Sequence, residues 1–138
     1  MGSETLEEIT SFCKTLNLLY VVKDKNIKYN NFDYFKYFFN KVTYIDDGFL
    51  ALETFKKDKF SIIITDIEIG QIDGFELIKE IKKIDKNIIT IIYSDNDDKE
   101  SFLKTIEMGI DGYMIPPFDE KVGSFNKQVE GLSKSSEN

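Results

Sequence analysis

The chain alternates short, continuous apolar runs with longer stretches in which apolar residues recur every three or four positions. Runs of the first kind stand at 18–22 (Leu18-Leu19-Tyr20-Val21-Val22), 42–45, 62–64 (Ile62-Ile63-Ile64), 88–93 and 112–115. Rich in aliphatic and β-branched residues and bounded by polar segments, they read as strands buried on both faces. Helical spacing first appears over 4–16, where Leu6, Ile9, Phe12, Cys13 and Leu16 share one face, and it predicts an extra N-terminal helix. Asn26 is expected to cap a helix running to about residue 40, with Ile27, Phe32, Phe35, Phe38 and Phe39 as its apolar sector. Asp46 or Asp47 opens a helix containing Phe49, Leu50, Leu52 and Phe55. Gly70 and Gly74 bracket a turn before Phe75, Leu77, Ile78 and Ile81 resume the helical period. A further helix carries Phe102, Leu103, Ile106 and Met108, and Gly109 closes it, since a left-handed cap residue needs no Cβ. Pro116-Pro117 keep the last strand from running on as helix, and Asp119 caps a final helix through Phe125, Val129 and Leu132.

Five strands alternating with helices imply right-handed crossovers and a parallel sheet covered on both faces. Ligand chemistry in such a sheet belongs at the C-terminal ends of the strands. The 138 residues suffice for one domain. Its expected division is a helical extension over 1–16, the domain proper over 17–132 and a flexible tail over 133–138. A formal charge of −7 disfavours nucleic-acid binding by this domain alone. One cysteine and no histidine exclude an intrachain disulfide and the usual zinc patterns, which fits a reducing cytoplasm. The apolar runs fall short of the roughly 20 residues a membrane span needs, and the acidic N-terminus does not read as a signal peptide.

Candidate chemistry is concentrated where two runs end. Phe60-Ser61-Ile62-Ile63-Ile64-Thr65 delivers Asp66, and the first run delivers Lys23. On adjacent parallel strands these ends would meet, so Lys23 is the expected carboxylate partner of Asp66, an ammonium that favours the ionised acid. Desolvation would offset much of the attraction in such a pair. The oxygen-rich stretch Ser94-Asp95-Asn96-Asp97-Asp98 lacks the spacing and terminal glutamate of a calcium loop and reads as a turn and helix cap.

The segment Thr65-Asp66-Ile67-Glu68-Ile69-Gly70-Gln71-Ile72-Asp73-Gly74-Phe75-Glu76-Leu77-Ile78 resembles the phospho-acceptor segment of bacterial two-component response-regulator receiver domains. The resemblance extends over about 18–132 and implies a flavodoxin-like (CheY-like) doubly wound five-stranded parallel sheet in the order 2-1-3-4-5. It places Asp66 at the phospho-acceptor position, Ser94 at the switch hydroxyl and Tyr113 at the switch aromatic. Asp73-Gly74 follows the family's turn, Gly70 departs from its common proline, and Pro117 matches the proline after strand five that often follows a cis bond.

The departures are chemical. The family's paired acidic residues, which hold Mg2+, correspond to Val22 and Lys23, and its strand-five lysine corresponds to Pro116. Sliding the first motif by one residue would put Asp24 in an acidic slot. The unshifted alignment is preferred because Lys25-Asn26-Ile27 then enters the helix in phase and strand one needs no bulge. The resemblance therefore implies a degenerate, pseudo-receiver-like signalling domain, not an enzyme, with impaired or Mg2+-independent regulation at Asp66. No cofactor is expected, and Mg2+, with Asp24 and Asp66 as its only candidate ligands, belongs to the alternative of an active phosphorelay receiver phosphorylated by a histidine kinase. Expected partners are a histidine kinase or other signalling protein and a second copy docked on the family's helix-four, strand-five, helix-five face, where Phe102, Ile106, Met108 and Phe118 are candidate anchors. The competing classes are a small Mg2+-dependent phosphohydrolase using Asp66 and Glu68, and a flavin-binding electron carrier, for which no convincing phosphate-binding glycine loop is present.

Overall fold

Five short apolar strands, Asn17–Val21 (β1), Lys41–Ile45 (β2), Ile62–Asp66 (β3), Ile89–Tyr93 (β4) and Gly112–Met114 (β5), form one parallel sheet in the order β2-β1-β3-β4-β5. They are seen in a computed structural model that describes residues 6–23, 25–94 and 99–115. The expected roles of Asp24, of 95–98, of Pro116, Pro117 and Phe118, of the helix capped by Asp119, and of the tail lie outside the described residues. The strand order is the doubly wound one expected. Because β1 lies between β2 and β3 in that order, the C-terminal ends of β1 and β3 adjoin.

Side chains alternate across the sheet, as the two-residue period of a strand requires. Leu18, Tyr20, Val22, Ile62, Ile64, Ile91, Tyr93 and Met114 pack on one face with Phe35, Phe38 and Phe39 of the helix Lys25–Phe38 (α2) and the residue after it. The N-terminal helix, Leu6–Cys13 (α1), adds Ile9 and Cys13 to that layer, with Leu16 just beyond it. Burial pushes the Cys13 thiol up to about 12. Leu19, Val21, Ile63 and Ile92 pack on the other face, against Ala51 and Phe55 of Gly48–Lys57 (α3) and Phe75, Leu77, Ile78 and Ile81 of Gly74–Ile84 (α4). Each fully buried aliphatic side chain contributes about 1.5–3 kcal/mol of transfer free energy.

Several boundaries differ from expectation. Asn26 is the second residue of α2 rather than the residue before it. Asp47, not Asp46, caps α3, its Oδ2 accepting the Leu50 N–H at 2.9 Å. In Lys99–Glu107 (α5), Thr105 is the buried residue, and Phe102, Leu103 and Ile106 are about half exposed (48%, 50% and 59%). Gly109 closes α5 with φ +69°, as anticipated. Among the described residues, no helix is long and apolar enough to cross a membrane.

Candidate functional site at the carboxyl end of β3

β3 continues two residues past its isoleucines, so Asp66 is its last residue and pairs in register with Tyr93 of β4. The strand thereby carries a half-buried carboxylate to the sheet's C-terminal edge. The Ile67 N–H donates to Asp66 Oδ1 at 2.6 Å, and the buried Thr65 hydroxyl donates to the Asp66 carbonyl at 2.9 Å. The following turn is tightly built. Gly74 N–H donates to the Ile67 carbonyl at 2.7 Å, Glu68 bridges to Asp73, and a Cβ at Gly74 would run into the Asp66 carbonyl oxygen. Asp73 and Glu76 form a capping box at the start of α4, with the Glu76 N–H donating to Asp73 Oδ1 at 2.8 Å. Gly70 has φ +116°, a conformation closed to the proline its position commonly carries in receiver domains.

The β1 side of the site is apolar. The register pairs Val21 with Thr65, and the next residues along the two strands are Val22 and Asp66. Val22 is fully buried in the first core layer and its N–H donates to the Ile45 carbonyl at 3.1 Å, so β1 leaves the sheet without a bulge. Lys23 is exposed. Ion pairs such as Glu53–Lys56 and Glu80–Lys83 lie on helix surfaces, and the anticipated Lys23–Asp66 bridge is not seen among the described residues. The long, flexible lysine stem lets the ammonium stay in water, which spares it the desolvation that a partly buried pair would cost.

On the opposite side lie Ser94 and Tyr113, the residues expected as the switch pair. Ser94 is buried, directly follows the register partner of Asp66, and its N–H donates to the Met114 carbonyl at 3.0 Å. Tyr113 is half-buried and meets the Phe102 ring edge-on, with centroids 5.6 Å apart. The aromatic position of β5 thus touches the exposed apolar face of α5. The contact of the turn after Asp66 with α3, through Gly48 and Ile69, is one that periodicity does not reveal; its one sequence signal is Asp47-Gly48 at the start of a helix.

Mg2+ favours six oxygen ligands, several of them water, held by one or two carboxylates. Of the two positions that supply those carboxylates in receiver domains, one here is a buried valine without a donor and the other an exposed cation. No group of three or more histidine, cysteine or acidic residues able to hold a metal ion occurs among the described residues. Val22 and Lys23 therefore offer such a metal no carboxylate, and Asp24 lies outside the described residues.

A family model described as the response regulator receiver domain matches residues 19–123. Among curated proteins, the chemotaxis protein CheY of Thermotoga maritima is 31% identical over 90 residues, 65% of this chain and 71% of that protein. Chemotaxis protein CheY-3 of Vibrio cholerae is 28% identical over 82 residues, 58% of this chain and 63% of its relative, so the match spans less than two thirds of that protein. Sporulation initiation phosphotransferase F of Bacillus subtilis is 31% identical over 73 residues, 53% of this chain and 59% of that one. Among solved structures, the BeF3-activated DrrB receiver domain superposes with TM-score 0.70 at 23% identity, over 83% of this chain and 97% of that one. NtrX from Brucella abortus gives TM-score 0.75 at 19% identity, over 88% of this chain and 28% of that one, a likeness of fold alone. With the sheet order, the carboxylate at the end of β3 and the family match over 19–123 in agreement, the chain belongs to the response regulator receiver domain family.

Proposed function

We propose that this receiver domain signals through protein contacts, with phosphorylation at Asp66 impaired and independent of Mg2+. The observation that carries the reading is the fully buried Val22 one residue beyond the β1–β3 pairing, beside the strand that ends in Asp66. Transfer to a carboxylate forms a bond between an Asp66 oxygen and phosphorus while the bond from phosphorus to the donor breaks. The charge on the equatorial oxygens then needs a cation. With the acidic positions filled by valine and lysine, that help is reduced to the Ser94 hydroxyl and the exposed Lys23 ammonium. The partner class is a histidine kinase or another signalling protein. The contact surface is the exposed strip of Phe102, Leu103, Ile106 and Ile115 on α5 and after β5, which we assign to self-association of two copies.

Incubation with a small acyl phosphate, with and without Mg2+, followed by intact mass measurement, tests this. The expected result is little adduct and no dependence on Mg2+. Rapid, Mg2+-dependent gain of one phosphoryl group, lost in Asp66→Asn, overturns it and makes the domain an active phosphorelay receiver.

A further inference from the structure

An α-helix begins with amide groups that have no intrahelical partner. In α3 two of them are satisfied from different directions. Asp47 Oδ2 accepts the Leu50 N–H at 2.9 Å, and the Gly48 N–H donates at 2.8 Å to the carbonyl of Ile69, a residue of the turn that follows Asp66. The approach is close on both sides. A Cβ on Gly48 would lie 2.6 Å from Ile72 Cγ1 and 3.2 Å from Ile69 Cδ1. A Cβ on Gly70 would lie 2.9 Å from Asp47 Oδ1, and Ile69 itself is fully buried in the second core layer.

The same turn holds the carboxylate. Ile67 donates its N–H to Asp66 Oδ1 at 2.6 Å, and its carbonyl accepts from Gly74 at 2.7 Å. Ile67 and Ile69 are separated by one residue, so the peptide planes that face Asp66 and α3 belong to one short, doubly anchored piece of backbone.

We propose that Asp47 and Gly48 are positioning residues for the Asp66 carboxylate. By keeping Ile69 and Gly70 seated on the first turn of α3, they fix the Ile67 amide and, through it, the rotation of the carboxylate about its Cβ–Cγ bond. The proposal rests on the reading of Asp66 as the receiver's signalling carboxylate, because a nucleophilic oxygen reacts only from a narrow range of orientations. It gives the first turn of α3 a part in presenting that oxygen, although neither Asp47 nor Gly48 touches it.

The test is amide NMR of the whole chain, following the Ile67 N–H by its hydrogen exchange and by the acid titration of its shift as Asp66 protonates. Gly48→Ala pushes a methyl group into Ile72, and Asp47→Ala removes the cap. Asp47→Asn keeps an acceptor for Leu50, and Thr54→Ala removes an α3 hydrogen bond remote from the turn, that of Thr54 Oγ1 to the Leu50 carbonyl at 2.8 Å. In Gly48→Ala and Asp47→Ala, Ile67 is expected to exchange about tenfold faster and to lose its titration step. In Asp47→Asn and Thr54→Ala both are expected to remain as in the parent. If Gly48→Ala does not fold, Asp47→Ala against Asp47→Asn decides the matter alone. Parent-like exchange and titration at Ile67 in Asp47→Ala overturns the proposal. Phosphoryl uptake at Asp66 is read separately by mass, so failure of the acceptor reading and failure of the clasp give different signatures.

Discussion

Around Asp66 the tightest constraint on a single residue is at Gly74, whose Cα faces the Asp66 carbonyl oxygen with no room for a methyl group. Gly74→Ala is expected to cost about 2–4 kcal/mol, read from the urea midpoint, because backbone rather than a flexible side chain must give way. Gly109→Ala is the contrast. Space there is open and only the φ of +69° penalises a side chain, so the loss is expected near 1 kcal/mol. Cys13 makes a prediction about pH. Burial raises the folded thiol from 9.0 to about 12, so the folded state keeps a proton that the unfolded chain gives up. The corresponding stability is complete below pH 9 and is lost between pH 9 and 12, at up to about 1.4 kcal/mol per pH unit. Subtracting the unfolding free energy of Cys13→Ala from that of the parent isolates this from the tyrosines. The difference should fall steadily above pH 9, and a flat difference would show that the thiol is not sequestered.

At the scale of elements, the strands and the start of α3 were legible because their signals are local, continuous β-branched runs and an aspartate before the helix, whereas Asp73, read as part of a turn, proves to cap α4. Asp73→Ala should cost about 1 kcal/mol in the same assay, as loss of an N-cap does. α5 shows where local signals stop. Phe102, Leu103 and Ile106 recur at helical spacing, and that period identifies one face without saying whether the face meets the core or the solvent. Here it meets solvent, and the helix buries Thr105 instead, whose hydroxyl donates to the Ser101 carbonyl at 2.8 Å. Leu103→Ser with Ile106→Ser is therefore expected to change stability by less than about 0.5 kcal/mol. The same pair should weaken self-association in sedimentation velocity. A loss of stability on the scale of a core truncation would show instead that the strip is packed.

For the whole molecule, Asp66 was legible as a carboxylate at a strand end because the parallel topology collects such ends, while Ser94 and Tyr113 were singled out only by the family resemblance. The placement of Lys23 was not legible, since adjacency of strand ends says nothing about where a flexible side chain settles. Nor was the clasp between α3 and the acceptor turn, a contact made by backbone groups over 20 residues apart in sequence. A ligand that binds only the folded state raises the unfolding midpoint by mass action. Mg2+ is expected to leave the midpoint where EDTA leaves it. A saturating rise, abolished by Asp24→Ala, would restore a metal site to this end of the sheet. The extra helix α1 has one more consequence. It sets the chain's only thiol inside the first core layer, fully shielded. A thiol reagent can therefore react only while α1 is lifted away or the domain is unfolded, and its rate at low denaturant reads out how often the N-terminal segment parts from the sheet. The protein carries its own clock for that event.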